Sequence, residues 1–393
     1  MGDSYGILSC DVFDPTGGFD RYDNLVSITP SGATLNVTVA GDLDMQTSTI
    51  AALGGGDVNV TSTGGSITLG SEGLSNNKVA ENFQVGYGIF SSGLGDVNVI
   101  AQNDIEIGGS RIATYNGGNI FVESLTGSVD VGNGGDTYNG VCVSYVDPNG
   151  NANFYAEAVY GSGIVAETLE TPQPGSSYQS IGSEWPPNHA AIPGNITVET
   201  PEGNITSSLG GITQEALDGN ISAGPTVTLI AGTKPNYPGN VDLGQSGVIG
   251  GTVDITANGN ITGLIISRQD SNINAAQNFS GSVLAGGQAD VTGGGTVTGT
   301  IAAGGGADVS GGNVSADVLS TTASVNGASS QSTLGGPASA SAASQSAANQ
   351  SDAEAKQQLA ANANTSDDDL NKKKNQPVLQ RVKRVTVLLP GNN

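Results

Sequence analysis

The chain has 393 residues, of which 61 are Gly, 12% are charged and 5% are aromatic, with a net charge of −24. That much Gly excludes a helical protein, since each helix-interior Gly costs about 1 kcal/mol relative to Ala. A hydrophobic content of 36%, arriving in short ordered packets, excludes plain disorder.

Charge is unevenly spread. Residues 1–351 hold 31 acidic and 5 basic residues (−26), and residues 352–393 hold 5 and 7 (+2). A body this acidic repels phosphate backbones, so nucleic-acid binding is not expected, whereas divalent cations would be attracted. No run approaches 18 consecutive apolar residues, so no membrane-spanning segment is expected.

Residues 1–30 carry aromatics and Pro15 and read as an irregular lead-in. Met1 to Cys10 has neither a basic stretch nor an apolar run, so an export signal is expected on a longer parent chain. The two cysteines, Cys10 and Cys142, exclude a disulfide-stapled scaffold and allow either one long-range disulfide or two buried thiols.

From residue 33 a repeat sets in. Gly followed by Asp or Asn precedes an aliphatic residue at Gly41-Asp42-Leu43, Gly56-Asp57-Val58, Gly95-Asp96-Val97 and Gly118-Asn119-Ile120. The unit returns at Gly194-Asn195-Ile196, Gly203-Asn204-Ile205, Gly239-Asn240-Val241 and Gly259-Asn260-Ile261. Strands start in pairs at Val58 and Ile67, Val97 and Ile105, Ile120 and Val129, and Ile196 and Ile205, eight or nine residues apart. Each reads apolar-x-apolar, as in Val58-Asn59-Val60 and Ile105-Glu106-Ile107, which puts two aliphatics on one face.

Such short strands cannot bury a face alone. Stacking each in parallel on its equivalent in the next coil solves that, with roughly 18–25 residues per coil. The expected fold is therefore all-β: a right-handed parallel β-helix, with coils over 1–132 and 194–324 and with Gly and Asn at corners needing positive φ. Residues 133–193 form an aromatic-rich excursion, 325–376 an Ala/Ser-rich linker, and 377–393 a terminal strand with Arg381, Lys383 and Arg384 among valines.

The Gly-Asp-Val-Asn-Val and Gly-Asn-Ile-Thr units, each followed by Ser-Ile-Thr-Leu or Ser-Val-Asp-Val, resemble filamentous-haemagglutinin-type exoproteins over roughly residues 33–132 and 194–320. The resemblance implies a β-helical shaft, export through an outer-membrane transporter, a bacterial secreted or cell-surface location, and a role in attachment or biofilm. The family's amino-terminal secretion domain is not recognisable here, so the chain reads as a carboxy-terminal portion.

The excursion is the expected ligand-binding region. It holds Tyr138, Tyr145, Tyr155, Tyr160, Tyr178, the single Trp (Trp185) and the single His (His189). Aromatic faces stack on sugars and anchor protein interfaces, so a glycan or protein surface of a host or neighbouring cell is the expected partner. Asp147-Pro148-Asn149-Gly150-Asn151 places oxygens as an EF-hand loop begins, but Ala152 stands at the turn Gly and Ala158 at the bidentate carboxylate. A turn is the simpler reading, with at most loosely bound calcium and no dedicated metal site or cofactor.

Asn-x-Ser/Thr sequons at Asn36, Asn59, Asn195, Asn204, Asn260 and Asn278 read as repeat grammar rather than glycosylation sites. No catalytic constellation can be assembled. A polysaccharide-degrading enzyme on the same fold would need carboxylates of successive coils aligned beside Arg111 or Arg268. An ice-binding solenoid would need a regular Thr-x-Thr array, and Thr296-Val297-Thr298 and Thr298-Gly299-Thr300 are too local for one.

Overall fold

A computed structural model describes residues 34–45, 49–52, 56–70, 88–92, 94–115, 117–132, 139–146, 152–159, 162–168, 193–207, 210–215, 225–244, 246–328 and 334–335. These residues contain strands and no helix, so none could cross a membrane as a helix. Strands of the shaft pair only in parallel, each with its equivalent one coil away, and the chain is a parallel β-helix.

Each coil has three faces, here A, B and C in chain order. Face A opens with Leu35–Val39 and stacks on Val58–Ser62, then Val97–Ala101, then Ile120–Ser124. Face B opens with Leu43–Met45 and stacks on Ile67–Leu69 and Ile105–Ile107. Face C opens with Thr49–Ala52 and stacks on Gly88–Ser92, Arg111–Tyr115 and Gly163–Glu167. The paired strands of the repeat are thus faces A and B of one coil, and face C is a third side that the repeat grammar does not announce.

The period-2 pattern does what simple pleating dictates. On face A, Val60, Val99, Val122, Val198 and Leu229 point inward with no exposed surface, in one column of the core. Coil length varies: Asn59 bonds Asn36 across 23 residues, Asn98 bonds Asn59 across 39, Asn260 bonds Asn240 across 20, and Asn278 bonds Asn260 across 18. From Ser271 to Ala307 face A keeps an 18-residue spacing, Ser271 on Ala289 and Ala289 on Ala307, and the last rung follows after 16, Ala307 on Ala323.

The corner Asn residues work differently from the sequence expectation. Positive φ falls on glycines, such as Gly299 at +118°, and among the other described residues only on Asn236. The corner Asn residues instead stack by their amides. Asn240 donates its backbone N–H and Nδ2 to Asn204 Oδ1 (2.9 and 3.0 Å), and Asn260 does the same to Asn240 (2.8 and 3.1 Å). Asn278 continues the column on Asn260, and the Thr296 N–H ends it on Asn278 Oδ1. A β-branch at such a corner would lose this column, and a Gly would satisfy φ without filling it. The side-chain nitrogens of Asn59, Asn260 and Asn278 are therefore in structural use.

Replacing Asn260 by Ala deletes three hydrogen bonds and leaves the N–H of the exposed Asn278 to water. The expected loss is about 1–3 kcal/mol in urea unfolding. Asn260→Asp keeps the acceptor, as Asp96 does for the N–H of Asn119 (2.7 Å), and should lose less than half as much. An alanine variant within about 0.5 kcal/mol of wild type would show that the column carries no net stability.

A second device closes the A–B corner. The hydroxyl ending a face-A strand donates to the coil before it and accepts from the Gly three residues on. Ser62 bonds the carbonyl of Gly41 and the N–H of Gly65, and Thr200 bonds those of Gly127 and Gly203.

Two expected boundaries move. Within 133–193, Gly163–Glu167 is a rung of face C, stacked between Arg111–Tyr115 and Gly211–Glu215. Beyond residue 324, the rung Thr322–Asn326 continues face A and Leu334–Gly335 pairs with face C. Gly163-Ile164-Val165 does not alternate, so apolar-x-apolar counting misses the first, whereas Ala323-Ser324-Val325 keeps the pattern just beyond the expected boundary.

Candidate functional site

The excursion leaves the shaft at the B–C corner of its coil. Val129–Asp130 lies on face B; strands Asn139–Val146 and Ala152–Val159 follow and pair antiparallel, and Gly163–Glu167 resumes face C. They form the only antiparallel pair among the described residues, a two-stranded ribbon set apart from the parallel sheet. Val146 pairs with Ala152 across residues 147–151. Residues 152–158 are strand, and Asp147-Pro148-Asn149-Gly150-Asn151 lies outside the described residues.

The ribbon brings two of the expected site residues together. Tyr145 pairs with Asn153 and Val143 with Tyr155, so Tyr145 and Tyr155 stand at diagonal positions of the same register parity. Cys142 pairs with Ala156 in the same ribbon. Tyr138, Tyr160, Tyr178, Trp185, His189 and Cys10 lie outside the described residues.

Beneath the excursion the structure reveals a second buried layer. On faces A and B most outward residues are polar, such as Asn59, Thr61, Glu106 and Asp130. On face C they are Ala51, Phe90, Ala113 and Val165, in register across four coils and at most 5% exposed. The ribbon strand Asn139–Val146 approaches Gly88–Ser92, the strand that carries Phe90. Outward apolar residues on a sheet that is elsewhere mostly polar outside mark a face meant to be covered.

Two polar groups share this layer. Arg111 and Tyr115 have no exposed surface, and Arg111 Nη1 donates to the Tyr115 hydroxyl at 2.9 Å. Arg111 stacks between Gly88 and Gly163, so neither neighbouring rung has a side chain at that position. The guanidinium can therefore lie along its own strand. Tyr115 also packs edge-on against Phe90, with centroids 5.7 Å apart and planes at 71°. Glu167 is the next rung's partner of Tyr115 and Glu215 the one after. Burial pushes the Tyr115 hydroxyl above its ordinary range, Arg111 pulls it back, and Glu167 adds to the rise.

Sequence reasoning considered Arg111 only as a possible catalytic cation and missed Tyr115 and Glu167. The legible signal was the stretch Arg111-Ile112-Ala113-Thr114-Tyr115, where Ala fills an outward slot in a body nearly free of basic residues. A carboxylate does align on the coil beside Arg111 and Tyr115, but neither residue is open to a substrate.

Gln214 joins three coils at the neighbouring C–A corner. Its Nε2 donates to the carbonyls of Gly194 (2.8 Å) and Thr226 (3.2 Å), while Oε1 accepts from the N–H of Gly251 (3.0 Å). On face A, Glu123 stacks on Glu199, and partial burial with this neighbour raises its carboxyl above the usual range.

Among the described residues no group of three His, Cys, Asp or Glu side chains could hold a metal ion. Thr298 stacks on Ser280 and Ser315, and Thr296 on Asn313, so the Thr-x-Thr motif does not recur on adjacent rungs. The chain matches no protein-family model, no curated protein and no solved structure.

Proposed function

We propose that this chain is the shaft of a bacterial adhesin of filamentous-haemagglutinin type, secreted or held at the outer cell surface, acting in attachment or biofilm without catalysis. It would leave the cell through an outer-membrane transporter and bind a glycan or protein surface of a host or neighbouring cell. One observation carries the reading. Ile120 stacks directly on Ile196, with Asn119 and Asn195 bonded across 76 residues, so the excursion is looped out without breaking the register of the rod. A rigid scaffold that displays an aromatic-rich hairpin from one corner has the anatomy of a binding element on a spacer. Outward Asn, Thr and Ser columns add weak contacts that could act many times over.

The test is a glycan array with the full chain, with and without calcium, beside a variant in which 133–161 is replaced by a short Gly-Ser link. The rung Gly163–Glu167 must be kept, because face C needs it. Wild type should bind a defined glycan class without releasing products. The variant should lose binding at least tenfold while keeping its β-sheet spectrum. Binding retained by the variant removes the hairpin segment 133–161 as the site, and release of shortened sugars replaces the adhesin reading with an enzyme.

A further inference from the structure

The last coil of face A leaves core positions open. Down the inward columns, Ile273, Val291 and Val309 are at most 2% exposed, yet their next partner, Val325, is only half-buried. Ala289 and Ala307 are likewise covered, and the next in line, Ala323, is exposed. The rung Thr322–Asn326 therefore presents apolar core positions and a strand edge at the end of the rod. Such an end templates the addition of another strand.

We infer that this end is a docking site for the chain's own C-terminal segment Val385-Thr386-Val387-Leu388-Leu389, which adds a capping rung to face A. Three observations select that occupant. Val385-Thr386-Val387 repeats the grammar of rungs such as Val227-Thr228-Leu229 and Ile67-Thr68-Leu69, with apolar residues inward and Thr outward. No other stretch beyond residue 335 carries it.

Charge is complementary. From Gln269 to Gly335 the chain contains no Lys or Arg, while Asp290 and Asp308 stack in one exposed outward column directly below Ser324. Arg381, Lys383 and Arg384 immediately precede the proposed rung, bringing cations to an acidic end.

Reach is ample. Val385 follows Gly335 by 50 residues (385 − 335), and a flexible chain of that length spans about 40 Å root-mean-square. A second copy is the poorer occupant, because its body is as acidic as this end and would be repelled by it. The capping rung is independent of what the rod binds.

Amide hydrogen exchange on the full chain tests this. The edge amides of residues 322–326 should be protected at least tenfold over those of an exposed strand, and equally at high and low protein concentration. The double substitution Val385→Asp/Val387→Asp should abolish that protection. Arg381→Glu/Lys383→Glu/Arg384→Glu should weaken it, while Lys372→Glu/Lys373→Glu/Lys374→Glu should leave it unchanged. Protection indifferent to the valine substitutions would overturn the proposal. So would protection in wild type that disappears on dilution, which would make a second copy the occupant.

Discussion

Phe279→Ala should lower the unfolding free energy by about 3–5 kcal/mol. Phe279 has no exposed surface and is the one aromatic in its inward column, between Ile261 on one coil and Val297 on the next. Its neighbours are β-branched and pinned by the parallel ladder at about 4.8 Å per rung, so they cannot slide into the space a methyl leaves. Removal of the ring therefore costs both the transfer of its apolar surface and the cavity. Phe121→Ala is the matched control, since Phe121 points outward on face A between Asn98 and Thr197 and is half-buried. It should lose under about 1 kcal/mol. Urea unfolding followed by far-ultraviolet circular dichroism reads both. Similar losses for the two phenylalanines would mean that the interior is not packed as described.

The second large effect lies under the excursion. Tyr115→Phe removes one acceptor of a fully buried guanidinium, and Arg111→Met leaves a buried hydroxyl without this donor. Each single change should cost about 1–3 kcal/mol, because a stranded buried polar group forfeits its solvation. The double variant should cost clearly less than the sum, since it removes both partners and keeps the volume.

The pH dependence has a definite sign. The folded Tyr115 hydroxyl titrates above its ordinary value of 10.0, so above that pH the unfolded chain loses the proton first. This contribution to stability is complete below pH 10 and is lost as pH rises through the raised value. Tyr115→Phe should abolish that part of the alkaline loss. Additive single costs, or an unchanged alkaline limb, would show that the pair is not coupled.

What could be read in advance follows from the physics of each face. On faces A and B the strand after the corner is held at nearly constant spacing, because both strands and their connecting corner are short in every coil, as in Val97–Ala101 and Ile105–Ile107. The Gly-Asn and Gly-Asp corners were visible as well, and only their means differed. Stacked amides, such as Asn240 on Asn204, hold them where positive φ was expected.

Face C was not visible. Ile89 follows Leu69 by 20 residues, while Ile112 follows Ile107 by five, because insertions enter at the B–C corner and destroy any period. Its outward residues obey a different rule besides, since Phe90, Ala113 and Val165 meet protein instead of water.

Of the candidate site, the excursion and its tyrosines could be located from composition alone. That Tyr145 and Tyr155 become diagonal neighbours depends on the antiparallel register that pairs Val143 with Tyr155 and Tyr145 with Asn153. That Arg111, Tyr115 and Glu167 meet depends on parallel stacking across coils separated by an insertion.

The sequence by itself determined the solenoid, because period-2 aliphatics and stackable corner amides are local properties repeated coil after coil. Only the tertiary structure decided that the coil has three sides, that the third is doubly buried, and that the excursion leaves at its corner. Those features arise from contacts between residues with no fixed separation along the chain, and no local pattern encodes them.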